Sequence, residues 1–277
     1  MKTTLIMLAF ALLAPAAVGQ TNTFSYKTKR GNEIILLSEG QRAGNASVLI
    51  GATPEIISET MPGGSYPSAT NAFLIRTVHG KHILIDTGFG KELFKNLQQY
   101  GVTADMIDII LITHMHSDHV GGLLDENGKK QFPNAQLHLS APEYEYYSNP
   151  NTGSEQAIAI FNAYRDKLKI GPFNELEIGS IKAIPAPGHT PGHTAFLINN
   201  VLVWGDITHA MAVQMPYPQV AVTYDYDSKQ AIETRLKLLE FITKEKLIVA
   251  GMHIPYPGMG TPVANGKGGY IFTPLEK

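Results

Sequence analysis

The feature that most constrains this chain is a run of imidazole and carboxylate side chains directly after an apolar segment. Residues 106–112 are apolar and rich in β-branched side chains, which predicts a buried strand. His114, His116, Asp118 and His119 follow closely behind it. Because open sheets bind their ligands at the carboxyl ends of strands, this loop is predicted to hold a functional site.

The spacing of these four side chains suits two metal ions. His114 and His116 stand two residues apart, so in extended chain they point to one side, whereas Asp118 and His119 face a second point on the following turn. A single histidine on an apolar face is usually an ordinary core residue. Four ionisable groups buried together without a metal would leave several donors and acceptors unpaired, so we favour a metal site.

The composition limits both the partners and the metal ligands. The 277 residues carry a formal net charge of −2, which gives no basic surface for nucleic acid. The chain contains no cysteine, which excludes disulfides, thiolate ligands and a cysteine nucleophile. Any metal would therefore be held by nitrogen and oxygen atoms, a donor set that suits Zn²⁺ and also accepts iron, manganese or cobalt.

The first residues have the pattern of a secretory signal peptide. Lys2 supplies a positive charge, residues 5–14 are apolar, and residues 17–19 form a small-x-small cleavage sequence. The apolar run is short for a membrane span, and a retained membrane anchor is the alternative. We therefore expect residues 1–19 to be a signal peptide and residues 20–277 to form one domain. The mature chain is expected to be periplasmic or secreted, without membrane attachment.

Further predicted strands end in side chains of the same chemical types. Residues 71–78 and 82–85 are predicted to form a hairpin that ends at Asp86, which either caps a turn or, as we favour, orients a metal-bound histidine. A strand over residues 176–184 precedes His189. In total, five predicted strand ends carry such side chains: Asp86, His114, His189, Asp206 and His253.

Helices are predicted between these strands. They comprise residues 91–100, a short helix opened by Pro142, an amphipathic helix from Ser154 to Leu168, and residues 231–243 behind a capping segment at Asp227. The two helices that precede His189 interrupt the sequence of strand-end motifs. Such an insertion covers a pocket in many enzymes, so we expect these helices to cover the site.

The order of the motifs resembles the metallo-β-lactamase-fold superfamily of hydrolases. The chain has His-x-His-x-Asp-His at residues 114–119, Gly-His-Thr-Pro-Gly-His at 188–193, Gly-Asp at 205–206 and a late strand-end histidine, His253. The resemblance implies an α+β fold, an αββα sandwich of two similar halves with its site along one edge of the sheets. It also implies two divalent metal ions, Zn²⁺ being the first choice.

The resemblance further implies a role for each residue of the motifs. His114, His116 and His189 would bind one ion, Asp118, His119 and His253 the other, and Asp206 would bridge them. His193 matches a position that is usually structural in the family. Two adjacent ions lower the pKa of a shared water, so that a bridging hydroxide can attack near neutral pH. Asp118 is the candidate catalytic residue, since it can accept a proton or orient the hydroxide.

Departures from related families narrow the function. Asp206 supplies a bridging carboxylate that β-lactamases with the same histidine motif lack. Hydroxyacylglutathione hydrolases share the seven ligands, but they are typically cytosolic and carry a basic glutathione-binding region that this sequence lacks. The RNA-processing nucleases of the superfamily do not suit a net charge of −2. Residues 188–277 resemble methyl parathion hydrolase and related secreted lactonases and arylesterases.

The resulting hypothesis is a hydrolase of small-molecule esters, phosphotriesters or lactones that binds no nucleic acid. Homodimerisation is suggested by the resemblance alone. The alternatives are an acyl-homoserine lactonase that quenches quorum signals, a β-lactamase, and a metal-binding protein without catalysis. Quorum-signal lactonases of this superfamily typically carry a tyrosine three residues after the bridging aspartate, where this chain has His209. His209 is an open candidate for a role beside the metals.

Four large side chains have two interpretations at this stage. They either line an apolar mouth above the metals or pack in the core: Phe89, Trp204, Met211 and Tyr217.

The signal-peptide prediction is tested on the native protein. We expect export with removal of about 19 residues, because the charge, the apolar run and the small residues occur in the order that signal peptidase requires. N-terminal sequencing of the protein from its host should begin near Gln20. Recovery of chains with intact Met1 from the cytosolic fraction would contradict this expectation.

Overall fold

The computed structural model describes residues 23–172, the short strand at 177–178 and residues 181–276. The predicted signal peptide lies outside these residues, as does part of the predicted strand 176–184. Within the described part of the chain, no helix is both long and apolar enough to cross a membrane.

Two sheets dominate the described residues, each with seven strands. The strands are β1 (Ser25–Lys27), β2 (Glu33–Asn45), β3 (Leu49–Ile50), β4 (Ser65–Arg76), β5 (His82–Ile85), β6 (Ile109–Leu111), β7 (Gln136–Ser140), β8 (Leu168–Gly171), β9 (Glu177–Ile178), β10 (Ile181–Pro185), β11 (Thr194–Ile198), β12 (Val201–Val203), β13 (Ala221–Val222), β14 (Ile248–Ala250), β15 (Met259–Ala264) and β16 (Tyr270–Pro274). The strand orders of the two sheets are β1-β2-β4-β5-β6-β7-β8 and β16-β15-β14-β12-β11-β10-β9, and β13 and β3 form a small separate pair.

The helices begin where the sequence provides caps. Ser140 Oγ accepts from Glu143 N, Ser154 Oγ from Ala157 N, and the Asp227 carboxylate from Gln230 N. The helices are α1 (Pro54–Thr60), α2 (Leu93–Gln99), α3 (Ser117–Val120), α4 (Ala141–Ser148), α5 (Glu155–Ala163), α6 (Met211–Gln214) and α7 (Ser228–Glu245).

Alternation along the strands explains the layers. In β2, Ile34 and Leu36 pack between the two sheets, whereas Ile35 and Leu37 face a second core shared with α2 and α5. In β12, Val201 and Val203 again face the other sheet, and the intervening Leu202 packs with α7. Helices therefore cover the outer face of each sheet, which gives the predicted αββα order.

Two segments differ from the sequence-based prediction. The helix predicted from Ser154 to Leu168 ends at Ala163, and Leu168–Gly171 form β8, which pairs in parallel with β7. The free edge of β7 offers hydrogen bonds that local helical periodicity cannot reveal. The strand predicted over residues 106–112 is also shorter, since only Ile109–Leu111 pair with neighbours and a 3₁₀ turn, Ala104–Met106, precedes them.

Strand direction gathers the motifs at one edge of the sandwich. β5, β6 and β7 run parallel in the first sheet, and β12 and β14 run parallel in the second. β10 and β12 both pair antiparallel with β11, so they too share a direction. The carboxyl ends of these strands carry the residues predicted at strand ends: Asp86, the cluster from His114 to His119, His189, Asp206 and His253.

A buried arginine secures the chain behind Asp206. Arg235 on α7 is 1% exposed. Its Nε donates to Ile207 O at 2.6 Å, and its Nη1 donates to Pro218 O and Val220 O, each at 2.8 Å. Burial lowers the pKa of Arg235 to about 10, so the guanidinium stays charged at neutral pH. The segment that leaves the site is thereby fixed to α7.

Replacing this arginine should destabilise the fold. Arg235→Leu would remove this donor from the buried oxygens Ile207 O and Pro218 O, at roughly 1–3 kcal/mol each. Val220 O would keep its hydrogen bond from Gln214 Nε2, so we expect a loss of about 2–6 kcal/mol in the free energy of unfolding. Urea denaturation of the metal-free protein measures it. Lys237→Leu, the same change at an exposed position of the same helix, should cost less than about 0.5 kcal/mol. Equal stability of the two variants would contradict the role of Arg235.

Candidate metal centre

The seven predicted ligands come together in two adjacent groups. His114, His116 and His189, here called the first metal group, offer atoms that lie with a carboxylate oxygen of Asp206 within 4.8 Å of one another. The second metal group consists of Asp118, His119 and His253, whose ligand atoms also lie within 4.8 Å of one another. The sequence prediction thus named residues that share one site, and their role as ligands remains a prediction.

Asp206 stands between the two groups. Its Oδ2 lies 3.4 Å from His189 Nε2 on one side and 3.1 Å from His253 Nε2 on the other. Its Oδ1 lies 3.2 Å from His119 Nε2. A carboxylate in this position is able to bridge two ions, one in each group.

The unsatisfied atoms of the site fit bound cations. His114 Nε2, His119 Nε2 and Asp206 Oδ1 are buried, and among the described residues they have no hydrogen-bond partner. Leaving a polar atom buried and unpaired costs about 1–3 kcal/mol. Divalent ions bound by nitrogen and oxygen would satisfy all three atoms at once, so the donor set fits the predicted metals.

Burial and neighbouring charges shift the pKa values of the predicted ligands in directions that favour a bound cation. Burial lowers the pKa of His114 and His189 well below the usual range, so both imidazoles are neutral and keep a free lone pair. Burial alone would raise the pKa of Asp206, but the charges of His119, His253 and nearby histidines outweigh it and lower the pKa. Burial alone would lower the pKa of His119, but the charges of Asp206, Asp118 and Asp86 outweigh it and raise the pKa. The surroundings of His119 therefore favour a cation.

Asp86 fixes one ligand of the second metal group. Its Oδ2 lies 2.6 Å from His119 Nδ1, so the imidazole donates its Nδ1 proton and turns Nε2 into the site. Thr113 donates to the same carboxylate from its backbone N at 2.8 Å and from Oγ1 at 2.6 Å. Asp86 adopts a φ of 58°, a left-handed conformation that is strained for an aspartate. As the sequence favoured, Asp86 contacts a histidine of the cluster.

Other histidines are oriented by groups that sequence analysis missed. His189 Nδ1 donates to Asp225 Oδ1 at 2.9 Å, and His253 Nδ1 donates to Ala69 O at 2.9 Å. Asp225 lies behind the two-residue strand β13, where no strand-end pattern marks it. A neighbouring carboxylate that fixes a histidine tautomer is typical of metal sites, but only the fold brings residues 189 and 225 together.

His193 and His209 both contact Asp206 without belonging to either metal group. His193 Nε2 accepts a hydrogen bond from Asp206 N at 2.9 Å, which agrees with its predicted structural role. Gly205, at a φ of 61°, allows this approach, because a Cβ there would lie 2.4 Å from His193 Nε2. His209 Nε2 lies 2.9 Å from Asp206 Oδ2, and its buried Nδ1 has no partner within the described chain.

A cavity of about 550 Å³ opens above the ligands. Its floor contains ligands of both metal groups, and its wall includes Arg42, Val48, Tyr66, Phe89 and Tyr224. The helices α4 and α5 contribute nothing to this lining, so the expectation that they cover the pocket is wrong. The wall comes instead from the end of β2, the start of β4 and the loop behind β13, because these segments lie next to the strand ends.

The four large side chains considered for the mouth have different places. Phe89 lines the cavity. Trp204 is fully buried in the core beneath α7, and Met211 packs in the same core. Tyr217 donates a hydrogen bond to Glu59 at 2.6 Å. Only Phe89 of these four therefore faces the space above the metals.

Arg42 is a cavity residue that the sequence did not single out. Its Nη2 lies 3.5 Å from Asp118 Oδ2 and 3.1 Å from His253 Nδ1. Since His253 Nδ1 gives its proton to Ala69 O, it cannot also accept from the guanidinium. The interaction partner of Arg42 is therefore Asp118, which is more exposed than Asp206, the other carboxylate among the predicted ligands.

Comparison with known proteins identifies the family. The model of the Metallo-beta-lactamase superfamily matches residues 65–253, and the chain belongs to this superfamily. The crystal structure of hydrolase AbOPH of the beta lactamase superfamily is similar with a TM-score of 0.82 and 26% identity, over 94% of this chain and 99% of that one. The dizinc quorum-quenching lactonase AidC gives a TM-score of 0.82 and 26% identity, over 92% and 98% of the two chains.

A curated relative is more similar in sequence but over a shorter segment. The hydroxyacylglutathione hydrolase of Photobacterium profundum is 31% identical over 134 residues, which are 48% of this chain and 45% of the relative. The chain thus matches about half the length of this relative. The family and its structural neighbours are metal-dependent hydrolases, so the predicted fold and superfamily are confirmed.

The position of Asp206 between the two groups makes metal content the direct test of the predicted site. Zinc-loaded protein should contain two ions per chain, and Asp206→Ala should reduce this to one or fewer, because two cations would then repel each other across a short gap. Elemental analysis after dialysis gives the stoichiometry. Asp166→Ala, at an exposed aspartate, should retain two ions. One ion or none in the folded, unsubstituted protein would contradict the prediction.

Proposed function

We propose that this chain is a dinuclear metal-dependent hydrolase that cleaves small esters, aryl phosphotriesters or lactones. The observation that carries the proposal is the convergence of two groups of buried ligand atoms at the floor of an open cavity, where some of these atoms have no hydrogen-bond partner among the described residues. A purely structural metal site is closed, whereas a catalytic site keeps an open side for substrate. The cavity supplies that side.

The chemistry divides between the ions and the chain. Two divalent ions, when bound, lower the pKa of a shared water toward neutrality and polarise the bond to be cleaved. Burial alone would raise the pKa of Asp118, but the charges of His119, His253 and Arg42 outweigh it and hold the pKa below its usual value. Asp118 is thus an ionised carboxylate at the cavity floor, where it can accept a proton. Arg42 holds this carboxylate from the solvent side.

Aryl substrates are favoured by the wall of the cavity. Tyr66, Phe89 and Tyr224 line it, so an aromatic group could stack there while the reacting bond reaches the floor. His209 stands where lactonases of the superfamily typically carry a tyrosine. A neutral phenol can always donate a hydrogen bond, whereas an imidazole is a donor, an acceptor or a cation. The tyrosine's polarisation of a lactone carbonyl therefore does not transfer directly to His209.

A lactonase is the second candidate. It is supported by the similarity to AidC, a dizinc quorum-quenching lactonase whose structure contains the product of an acyl-homoserine lactone. We also propose that the mature chain acts outside the cytoplasm, on the pattern of residues 1–19. Extracellular quorum signals and extracellular aryl esters are both compatible with that location.

A substrate panel separates the two candidates. We expect kcat/KM for an aryl ester and an aryl phosphotriester to exceed that for an aliphatic acyl-homoserine lactone, because good leaving groups need only the metals and the water. All substrates are measured on one zinc-loaded preparation, with Asp206→Ala as the control for contaminating activity. A lead of tenfold or more for the acyl-homoserine lactone, about 1.4 kcal/mol in transition-state stabilisation, would establish the lactonase instead.

A further inference from the structure

Glu143 is a buried carboxylate that the proposed chemistry does not use. It lies in the first turn of α4 with none of its surface exposed. Its Oε1 accepts a hydrogen bond from Met115 N at 2.8 Å. Its Oε2 accepts from Thr190 Oγ1 at 2.7 Å and from Gly192 N at 2.9 Å. One side chain therefore links the two loops that carry all ligands of the first metal group.

This use of a glutamate at the third position of a helix is unexpected. Ser140 and Glu143 form the Ser-x-x-Glu pattern, in which the glutamate normally bonds back to the N–H of the capping residue. Ser140 Oγ does accept from Glu143 N, but the carboxylate turns to the two loops. Ser140 Oγ also donates to Gly192 O at 2.7 Å. The start of α4 thus satisfies both backbone polar groups of Gly192.

Helix α4 and the loop at Gly192 are in direct backbone contact, which fixes the position of this loop. A Cβ on Gly192 would lie 2.2 Å from Glu143 N, so the two backbones touch directly. On the other side of the linked loops, His116 Nδ1 and His189 Nε2 lie 3.0 Å apart. Two nitrogen ligands at about 2.0–2.1 Å from one tetrahedral ion stand roughly 3.3 Å apart. The linked loops hold the two imidazoles near the spacing that one ion requires.

We propose that Glu143 is a positioning residue that sets the metal affinity of the first metal group and leaves the second largely unaffected. The inference rests on the proposed two-ion centre. Met115 lies between two histidines of the first group, and Thr190 directly follows the third. The histidines of the second group are held by other partners, Asp86 and the carbonyl oxygen of Ala69. Loss of the Glu143 contacts should therefore act on one group.

The test measures the zinc affinity of each group alone. His253→Ala leaves the first metal group intact, and His189→Ala leaves the second. Glu143→Gln is introduced into each background, and zinc dissociation constants are obtained by competition with a chromophoric chelator. The glutamine keeps the shape, but its NH₂ replaces one of the two acceptor oxygens, so either Met115 N or Gly192 N loses its acceptor. We expect a Kd about 10- to 100-fold higher in the His253→Ala background and a change below about twofold in the other.

A matched substitution in helix α4 serves as the control. Glu145→Gln, at an exposed position of the same helix, should leave both constants unchanged. Equal weakening in both backgrounds would show a general loss of stability and overturn the proposal, as would an unchanged first group. If Glu143→Gln does not fold, Thr190→Val removes one of the three bonds, and an unchanged first-group Kd is again contrary. Failure of the unsubstituted chain to bind two zinc ions counts against the proposed function instead.

Discussion

The structure depends on holding imidazole and carboxylate groups together in a buried place with their free atoms pointing inward. Desolvation opposes this arrangement, and within the described part of the chain one buried atom each of His114, His119 and Asp206 has no hydrogen-bond partner. Hydrogen bonds that the rings donate to acceptors outside the cluster keep them oriented, chiefly to Asp86, Asp225 and a backbone carbonyl oxygen. Bound ions that occupy this site would stabilise the folded state by an amount that grows with the logarithm of their affinity.

The sandwich provides the rigidity that such an arrangement needs. Strands of both sheets end at one edge, and β6, β10, β12 and β14 each place one or more predicted ligands there on a fixed backbone. The packed core between the sheets, which includes Phe73 and Phe196, fixes how the two edges meet. Outside this edge, helices serve the centre indirectly: α7 fixes the segment behind Asp206 through Arg235, and α4 joins two ligand loops.

Sequence patterns predicted features that depend on residues close together in the chain, and they missed contacts between residues far apart in the chain. His114, His116 and Asp118 could be predicted to share one site because they follow an apolar strand at short spacing. The caps of α5 and α7 could be predicted from single residues. Asp225 and Arg42 lie far along the chain from the ligands they contact, so no spacing reveals them. The strand β8 was not predicted, and the preceding helix was extended to Leu168, because the hydrogen bonds of β8 come from β7. The cavity wall is assembled from segments that have no common pattern.

We predict that the two groups of ligands hold one ion each with Asp206 between them. A crystal structure of the zinc-loaded protein, with anomalous differences recorded on both sides of the zinc absorption edge, tests it most directly. Two peaks about 3.5–4 Å apart, one within each metal group and both within reach of Asp206, are the predicted result. A single peak, or a peak outside these residues, would contradict the account.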